Sequence, residues 1–172
     1  MMDEIIVNFD NKKRIKLLII GGFVLIGIAA MALFLIFVPN TIYIFPILFS
    51  IVAFVFGLVV FFIFLKNIFS NNRNGLVLSN KGIIFNGTPN GKKIGKILWK
   101  DVEYINIKKM YNSDFIFLKL NSLTLDRYLI NLGIHGRNDV INNGVGITND
   151  ELDIEFNKMR GLIEAYFIKY KE

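Results

Sequence analysis

The first half of the chain contains one long apolar run. Residues 17–65 include no Asp, Glu, Lys, Arg or His, and the run is interrupted near its middle by the polar segment 39–41. The two parts, residues 17–38 and 42–65, each exceed the roughly 20 apolar residues that a helix needs to cross about 30 Å of hydrocarbon. The pattern therefore predicts a hairpin of two transmembrane helices joined by a polar turn.

Basic residues flank this hairpin, whereas its turn has none. They are Lys12, Lys13, Arg14 and Lys16 before the first span, and Lys66 and Arg73 after the second. Because basic flanks remain on the cytoplasmic side, both termini are predicted to be cytoplasmic. A cleaved signal peptide is the alternative, since residues 30–32 have the small-x-small pattern of a cleavage site. The apolar run continues past that point and is too long for a signal peptide.

Small residues recur at helical spacing within the spans. They are Gly27 and Ala30 in the first helix, and Ser50, Ala53 and Gly57 in the second. Packing within the hairpin is favoured over a separate dimer face. Because neither span contains an ionisable group, the hairpin is interpreted as an anchor rather than as an ion or substrate path.

After a linker at residues 66–74, apolar and polar residues alternate and Gly and Asn become frequent, which is typical of strands and turns. A hairpin is predicted around residues 79–82, and a second turn around residues 111–114. A short helix at residues 126–134 and a further strand at 144–147 are also predicted. The five main strands are predicted at residues 76–78, 83–85, 96–99, 105–108 and 115–120.

The C-terminal segment has one apolar stripe of a helix. Its members, at i, i+3, i+4, i+7, i+8 and i+11, are Met159, Leu162, Ile163, Tyr166, Phe167 and Tyr170. Asp150 or Asp153 is predicted to cap this helix. Because Glu164 is mixed with the basic residues of the polar face, we expect the helix to pack on the sheet rather than lie on a membrane.

These elements predict an α+β membrane protein. Its divisions are an N-terminal cytoplasmic segment at 1–16, the hairpin at 17–65, the linker at 66–74 and a soluble domain at 75–172. The domain is predicted to be a small antiparallel β barrel or sandwich with a C-terminal helix. Its size is sufficient for a core of its own.

Several segments resemble a group of uncharacterised bacterial two-helix inner-membrane proteins with a C-terminal pleckstrin-homology-like domain. They are residues 4–7 before the hairpin, 75–78 after it, and 152–154 before the last helix. Residues 97–105 contain Trp99 and Asp101, which match the Trp-x-Asp-Val/Ile signature between two strands of such domains. The resemblance implies a pleckstrin-homology-like fold, a bacterial inner-membrane location and a role that is adaptor-like or unassigned, without an active site.

Composition restricts the chemistry further. The chain has no cysteine and a single His135, so disulfides, thiolate zinc sites and iron–sulfur clusters are excluded. Residues 87–93 lack the spacing of a phosphate-binding loop, and residues 144–146 lack the third glycine of a dinucleotide motif. His135, Asp139 and Ser122 are the residue types of a hydrolytic triad. The favoured interpretation of His135 is nevertheless a loop histidine exposed to water, with no catalytic role.

The remaining candidates also favour ordinary structural roles. Trp99 is interpreted as a core anchor rather than a stacking platform. Four acids could hold a cation, but they lack the pattern of a calcium loop and are expected near a helix N-terminus; they are Asp150, Glu151, Asp153 and Glu155. We therefore predict no enzyme activity, no cofactor, no metal and no nucleic-acid partner.

A cluster of lysines is the remaining signal in a chain of net charge +6. Its members are Lys92, Lys93, Lys96, Lys100, Lys108 and Lys109, with a solvated face as the alternative interpretation. The cluster predicts a noncatalytic module that binds anionic lipid headgroups or a protein partner at the cytoplasmic face. The alternative function is an auxiliary subunit of a larger membrane transport or envelope complex, and homo-oligomers are possible in either case.

Overall fold

A computed structural model describes residues 4–37, 44–69, 74–110 and 113–171. It divides into two compact units. One unit consists of the residues up to Asp10 together with those from Arg73 onward, and the other runs from Asn11 to Asn72. The chain thus leaves the first unit after ten residues and returns to it after the apolar helices.

The apolar unit contains the helices α1 (Asn11–Phe37) and α2 (Ile44–Phe69). Both are long and apolar enough to cross a membrane, and most of their large hydrophobic side chains are exposed. The predicted turn at residues 39–41 lies outside the described residues. At Gly57 an added Cβ would lie 2.6 Å from Leu25 Cδ2, so this glycine permits close packing within the hairpin as predicted. Gly27 meets nothing within 4 Å.

The first sheet of the other unit has four antiparallel strands in chain order: β1 (Ile5–Asn8), β2 (Asn74–Ser79), β3 (Gly82–Phe85) and β4 (Lys96–Leu98). The second and third form the predicted hairpin. The sequence predicts a separate N-terminal segment at residues 1–16 and gives no indication of β1. In the structure it pairs with β2, so the apolar helices are inserted between two neighbouring strands.

The second sheet contains β5 (Val102–Met110), β6 (Ser113–Leu120) and β7 (Val145–Ile147), again antiparallel. The predicted strands are therefore present, although residues 111–112 of the second turn lie outside the described residues. The strands that the structure describes form two open sheets and no closed barrel, so the barrel form of the prediction is wrong. A 3₁₀ turn at Trp99–Asp101 leads from the first sheet into the second.

Three short helices connect the strands: α3 (Pro89–Ile94), α4 (Ser122–Leu129) and α5 (Ile134–Asn143). The helix predicted at 126–134 starts earlier, because the Asn121 side chain accepts a hydrogen bond from the backbone N–H of Leu123 at 3.0 Å and caps α4. The sequence did not predict α5, which contains Gly136 and several asparagines that disfavour helix. Val140 is buried, and Arg137 Nε donates hydrogen bonds to the backbone oxygens of Leu129, the last residue of α4, and Leu132 just after it. These contacts hold α5 in place.

The terminal helix α6 (Phe156–Tyr170) confirms the predicted stripe. Met159, Ile163 and Tyr166 are fully buried, and the other members of the stripe are partly buried against the core. The helix packs on the sheet side, where the rings of Tyr166 and Trp99 lie 6.3 Å apart. The predicted cap is wrong: Glu155 occupies the N-cap position, without a side-chain capping bond.

Trp99 is a core anchor, as predicted. Its ring is 1% exposed, and its indole Nε1 donates a hydrogen bond to the backbone oxygen of Ser79 at 2.8 Å. This bond joins the 3₁₀ turn to the end of β2.

Candidate ligand-binding cleft

All six predicted lysines are exposed, but they occupy two regions. Lys92 and Lys93 lie on α3, and Lys96 follows at the start of β4. Lys108 and Lys109 lie near the end of β5. Lys100 belongs to the 3₁₀ turn before β5, and the strand between Val102 and Lys108 spans roughly 20 Å at about 3.3 Å per residue. Lys100 is thus separate from the pair at the other end of β5.

A cleft of about 320 Å³ lies between α3, α5 and the face of the second sheet. That volume falls within the range of small-ligand sites. Its walls combine aromatic, aliphatic and polar groups, and the lining residues are Thr88, Asn90, Met110, Phe115, Phe117, Asp139, Val140, Gly144 and Gly146.

Two aromatic rings of β6 form the floor of the cleft, and a glycine of β7 leaves space beside them. Phe115 and Phe117 project from the same face of β6, and their rings stack with centroids 5.8 Å apart. Gly146 on β7 is the register partner of Phe117, and an added Cβ would lie 3.1 Å from Phe117 Cε1. A larger residue at this position would therefore occupy space in the cleft.

The backbone conformation at position 144 requires a glycine. Gly144 has φ +92°, a conformation that L side chains rarely adopt, and an added Cβ would approach the backbone oxygen of Leu118 to 2.6 Å. The two glycines that sequence analysis considered as a dinucleotide motif thus shape one wall of the cleft and the turn before β7.

The polar rim links α3 to α5. Asp139 Oδ2 accepts a hydrogen bond from Asn90 Nδ2 at 3.3 Å, and Asp139 Oδ1 accepts one from Asn143 Nδ2 at 3.0 Å. Lys108 Nζ lies 5.8 Å from the centroid of the Phe117 ring, within the range of a cation–π contact. One lysine of the predicted cluster therefore stands directly beside the aromatic floor.

The segment 87–93 does not form a phosphate-binding loop. The Thr88 hydroxyl accepts a hydrogen bond from the backbone N–H of Gly91 at 3.1 Å and caps α3. Thr88 and Gly91 thus form the capped N-terminus of a six-residue helix.

Asp139 does not form the hydrogen bond to His135 that a catalytic triad requires. His135 and Asp139 are exposed on α5, and the oxygens of Asp139 accept from Asn90 and Asn143 rather than from the histidine. Within residues 4–37, 44–69, 74–110 and 113–171, no group of three His, Asp or Glu residues could hold a metal ion.

A buried polar network lies at the junction of the two sheets. The Tyr128 hydroxyl donates to Asp101 Oδ2 at 2.5 Å and accepts from the backbone N–H of Leu98 at 3.2 Å. Arg127 Nη2 donates to the same carboxylate oxygen and also to the Tyr128 hydroxyl, at 2.7 Å to the latter. The sequence signature includes Asp101, but the role of its carboxylate is not visible in the sequence, because the partners lie 26 and 27 residues away.

This network shifts two pKa values. Burial raises the pKa of Tyr128 above its ordinary value, and the hydrogen bond to Asp101 raises it further. The pKa of Arg127 is also raised, first by its hydrogen bond to Tyr128 and its charge interaction with that hydroxyl, and then by Asp101. Both shifts favour the protonated forms, in which the tyrosine and the arginine donate hydrogen bonds. This suits a structural role at the junction of the sheets rather than proton transfer.

Comparisons with protein-family models, with curated proteins and with solved structures found no match to this chain.

Proposed function

We propose that this chain is a noncatalytic module, anchored in a bacterial inner membrane, that binds an anionic lipid headgroup at the cytoplasmic face. The observation that carries the proposal is the cleft between α3, α5 and β6, together with Lys108 beside its aromatic floor. Two further exposed lysines, Lys92 and Lys93, lie on α3. We include the pleckstrin-homology-like ancestry of the two sheets and α6 in this proposal, on the strength of the resemblance around Trp99 and Asp101.

The cations on the elements that line the cleft favour an anion with an apolar body. Lys92 and Lys93 follow Asn90 on α3, and Lys108 stands over Phe117. Each lysine close to an anionic membrane surface contributes about 1 kcal/mol, so three would strengthen binding by roughly a hundredfold. Asp139 opposes this attraction, although two side-chain amides already donate to its carboxylate.

The chain connectivity supports a location close to the bilayer. Asn8 and Asn74 are register partners on β1 and β2, so the chain enters and leaves the apolar unit from adjacent strands. If the two helices span a bilayer, the two ends of the hairpin that continue into β1 and β2 lie on the same side of it. Tethering of this kind gives effective concentrations on the order of millimolar, at which a weak headgroup site is occupied.

The experiment uses the full chain, because a fragment that starts at residue 75 would lack β1. The protein is embedded in zwitterionic nanodiscs and mixed with vesicles that contain either phosphatidylglycerol or phosphatidylcholine alone. We expect it to sediment with the anionic vesicles only, and less so as salt is added, because exposed charges are screened over about 8 Å at physiological ionic strength.

A charge-matched pair of variants tests the location of the site. Replacing Lys92, Lys93 and Lys108 by Glu should abolish sedimentation. The control replaces by Glu three exposed lysines elsewhere in the same unit, which are Lys81, Lys158 and Lys169. Most of the sedimentation with anionic vesicles should remain in this control. Equal losses in both variants would mean non-specific attraction and would refute the cleft as the site.

A single substitution tests whether the negative charge at the rim of the cleft weakens the binding of anionic vesicles. Asp139→Asn removes the acidic charge while its amide oxygen can still accept from Asn90. At about 8 Å in water, one charge contributes roughly 0.5 kcal/mol, so binding should strengthen about twofold. If the wild-type chain ignores anionic vesicles at low salt, the headgroup function is wrong and a protein partner becomes the better hypothesis.

A further inference from the structure

The strand β5 has a free edge. In the order β5-β6-β7 it has one neighbouring strand in the part of the chain that the structure describes. It is nine residues long, and Tyr104, Asn106, Lys108 and Lys109 on it are exposed. A long edge strand presents unpaired N–H and C=O groups to which another strand can bond.

The register shows which backbone groups face outward. Met110 is the register partner of Ser113, with two residues between them. The closing pair of such a hairpin is hydrogen-bonded. Hydrogen-bonded pairs then alternate along the strands, so the N–H and C=O groups of Met110, Lys108 and Asn106 face β6. The alternate residues Ile105, Ile107 and Lys109 therefore direct their N–H and C=O groups to the free edge. Near the start of the strand, the backbone oxygen of Glu103 faces outward enough to accept a bond from Lys171 Nζ at 2.7 Å.

We propose that β5 pairs antiparallel with β5 of a second copy of this chain, about a two-fold axis at Asn106. This register sets Ile105 opposite Ile107 of the other copy as a hydrogen-bonded pair, and it does so twice by symmetry. It also sets Tyr104 opposite Lys108, and Glu103 level with Lys109. The outward-facing groups of Ile105 and Ile107 of one strand thus meet those of the other, while the backbone oxygen of Glu103 accepts from Lys171 Nζ of its own chain.

Charge complementarity selects this register. Centring the pair on Lys108 would place two lysines directly opposite each other, which is unfavourable. Centring it on Ile105 or Ile107 would place Glu103 or Lys109 opposite an isoleucine. Lysines on an edge usually guard it against pairing, but both lysines lie at one end of β5, where an antiparallel copy brings its glutamate and tyrosine.

The pairing would join the second sheets of two copies into one sheet of six strands, ordered β7-β6-β5-β5-β6-β7. Ile105 and Ile107 are partly exposed in the single copy and would gain an apolar neighbour. This inference does not depend on headgroup binding, because the pairing is made by backbone groups of β5, whereas Lys108 faces the cleft with its side chain.

The absence of cysteine makes a direct test possible. Asn106→Cys would place two cysteines opposite each other in a non-hydrogen-bonded pair, with Cα atoms about 4.5 Å apart, which a disulfide can bridge. The matched control Lys108→Cys lies on the same face, but its two copies would be roughly 13 Å or more apart. In the full chain in mild detergent, mild oxidation should cross-link the first variant and not the second.

Charge reversal then tests the register in the Asn106→Cys background. Glu103→Lys alone or Lys109→Glu alone should lower the association constant roughly tenfold, and the two changes together should restore it. Trp99 fluorescence verifies that each variant is folded. No cross-link with Asn106→Cys, an equal cross-link with Lys108→Cys, or no restoration in the double variant would overturn the proposal.

Discussion

Removal of the Tyr128 hydroxyl should destabilise the unit formed by the two sheets. In Tyr128→Phe the ring remains, so its packing is preserved, and the loss is confined to the oxygen. That oxygen donates to Asp101 at 2.5 Å and accepts from the backbone N–H of Leu98 at 3.2 Å. Tyr128 is 5% exposed and Asp101 is 3% exposed, so water replaces these bonds poorly.

The hydroxyl also accepts a hydrogen bond from Arg127, so three bonds are lost. The bond from Arg127 contributes least, because that side chain is 54% exposed and water can take the place of the hydroxyl. The magnitude therefore follows from the other two bonds. A hydrogen bond to a charged carboxylate contributes about 1.5–3 kcal/mol, and leaving a buried N–H unpaired costs about 1–3 kcal/mol. Arg127 still donates to Asp101, which reduces the loss at the carboxylate. We therefore expect a decrease of about 3 kcal/mol in the free energy of unfolding, out of a total of roughly 5–15 kcal/mol for a domain of this kind.

The assay uses urea unfolding of the full chain in mild detergent, followed by tryptophan fluorescence. Trp99 is the single tryptophan and is buried beside Tyr166, so its emission reports on the sheets and not on the apolar helices. Tyr104→Phe is the matched control, because Tyr104 is 48% exposed. This control should change stability by less than about 0.5 kcal/mol.

The pH dependence gives a second test of the same network. The pKa of folded Tyr128 is raised above its ordinary value of 10.0, so above that pH the folded state binds more protons than the unfolded state. The contribution of Tyr128 to stability is thus complete below pH 10.0 and decreases as the pH rises toward the folded pKa. The difference between wild type and Tyr128→Phe should therefore shrink under alkaline conditions. A variant as stable as wild type at neutral pH, or a difference that grows above pH 10.0, would refute the reasoning.

Two further predictions concern the separate units. Tyr166→Asp puts a carboxylate at a fully buried position of α6 and should unfold the sheets, at a cost of several kcal/mol, while the helical circular dichroism of the apolar unit remains; unchanged protease resistance of the sheets would contradict this. Reporter fusions after Lys171 and at Asn40, in the predicted turn, should be active on opposite sides of the membrane, with the former cytoplasmic; activity on the same side would contradict the hairpin.

The two apolar helices and α6 were predictable because local periodicity encodes them. An uncharged run of sufficient length, or a stripe at helical spacing, identifies an element without knowledge of its partners. The strands of the β2–β3 and β5–β6 hairpins were also predictable, because their partners are adjacent in sequence. The lysines could be identified as exposed, since their charge disfavours burial.

Only the tertiary structure decided which distant residues meet. β1 pairs with a strand more than sixty residues away, and its four residues carry too little pattern to predict a strand. The cleft depends on Gly146 lying opposite Phe117 and on an amide of α3 reaching a carboxylate of α5, 49 residues apart. The same holds for the partners of Asp101. Local sequence determines the elements through periodicity and charge, whereas the cleft and the network arise from pairings between distant segments, which the spacing of residues along the chain does not encode.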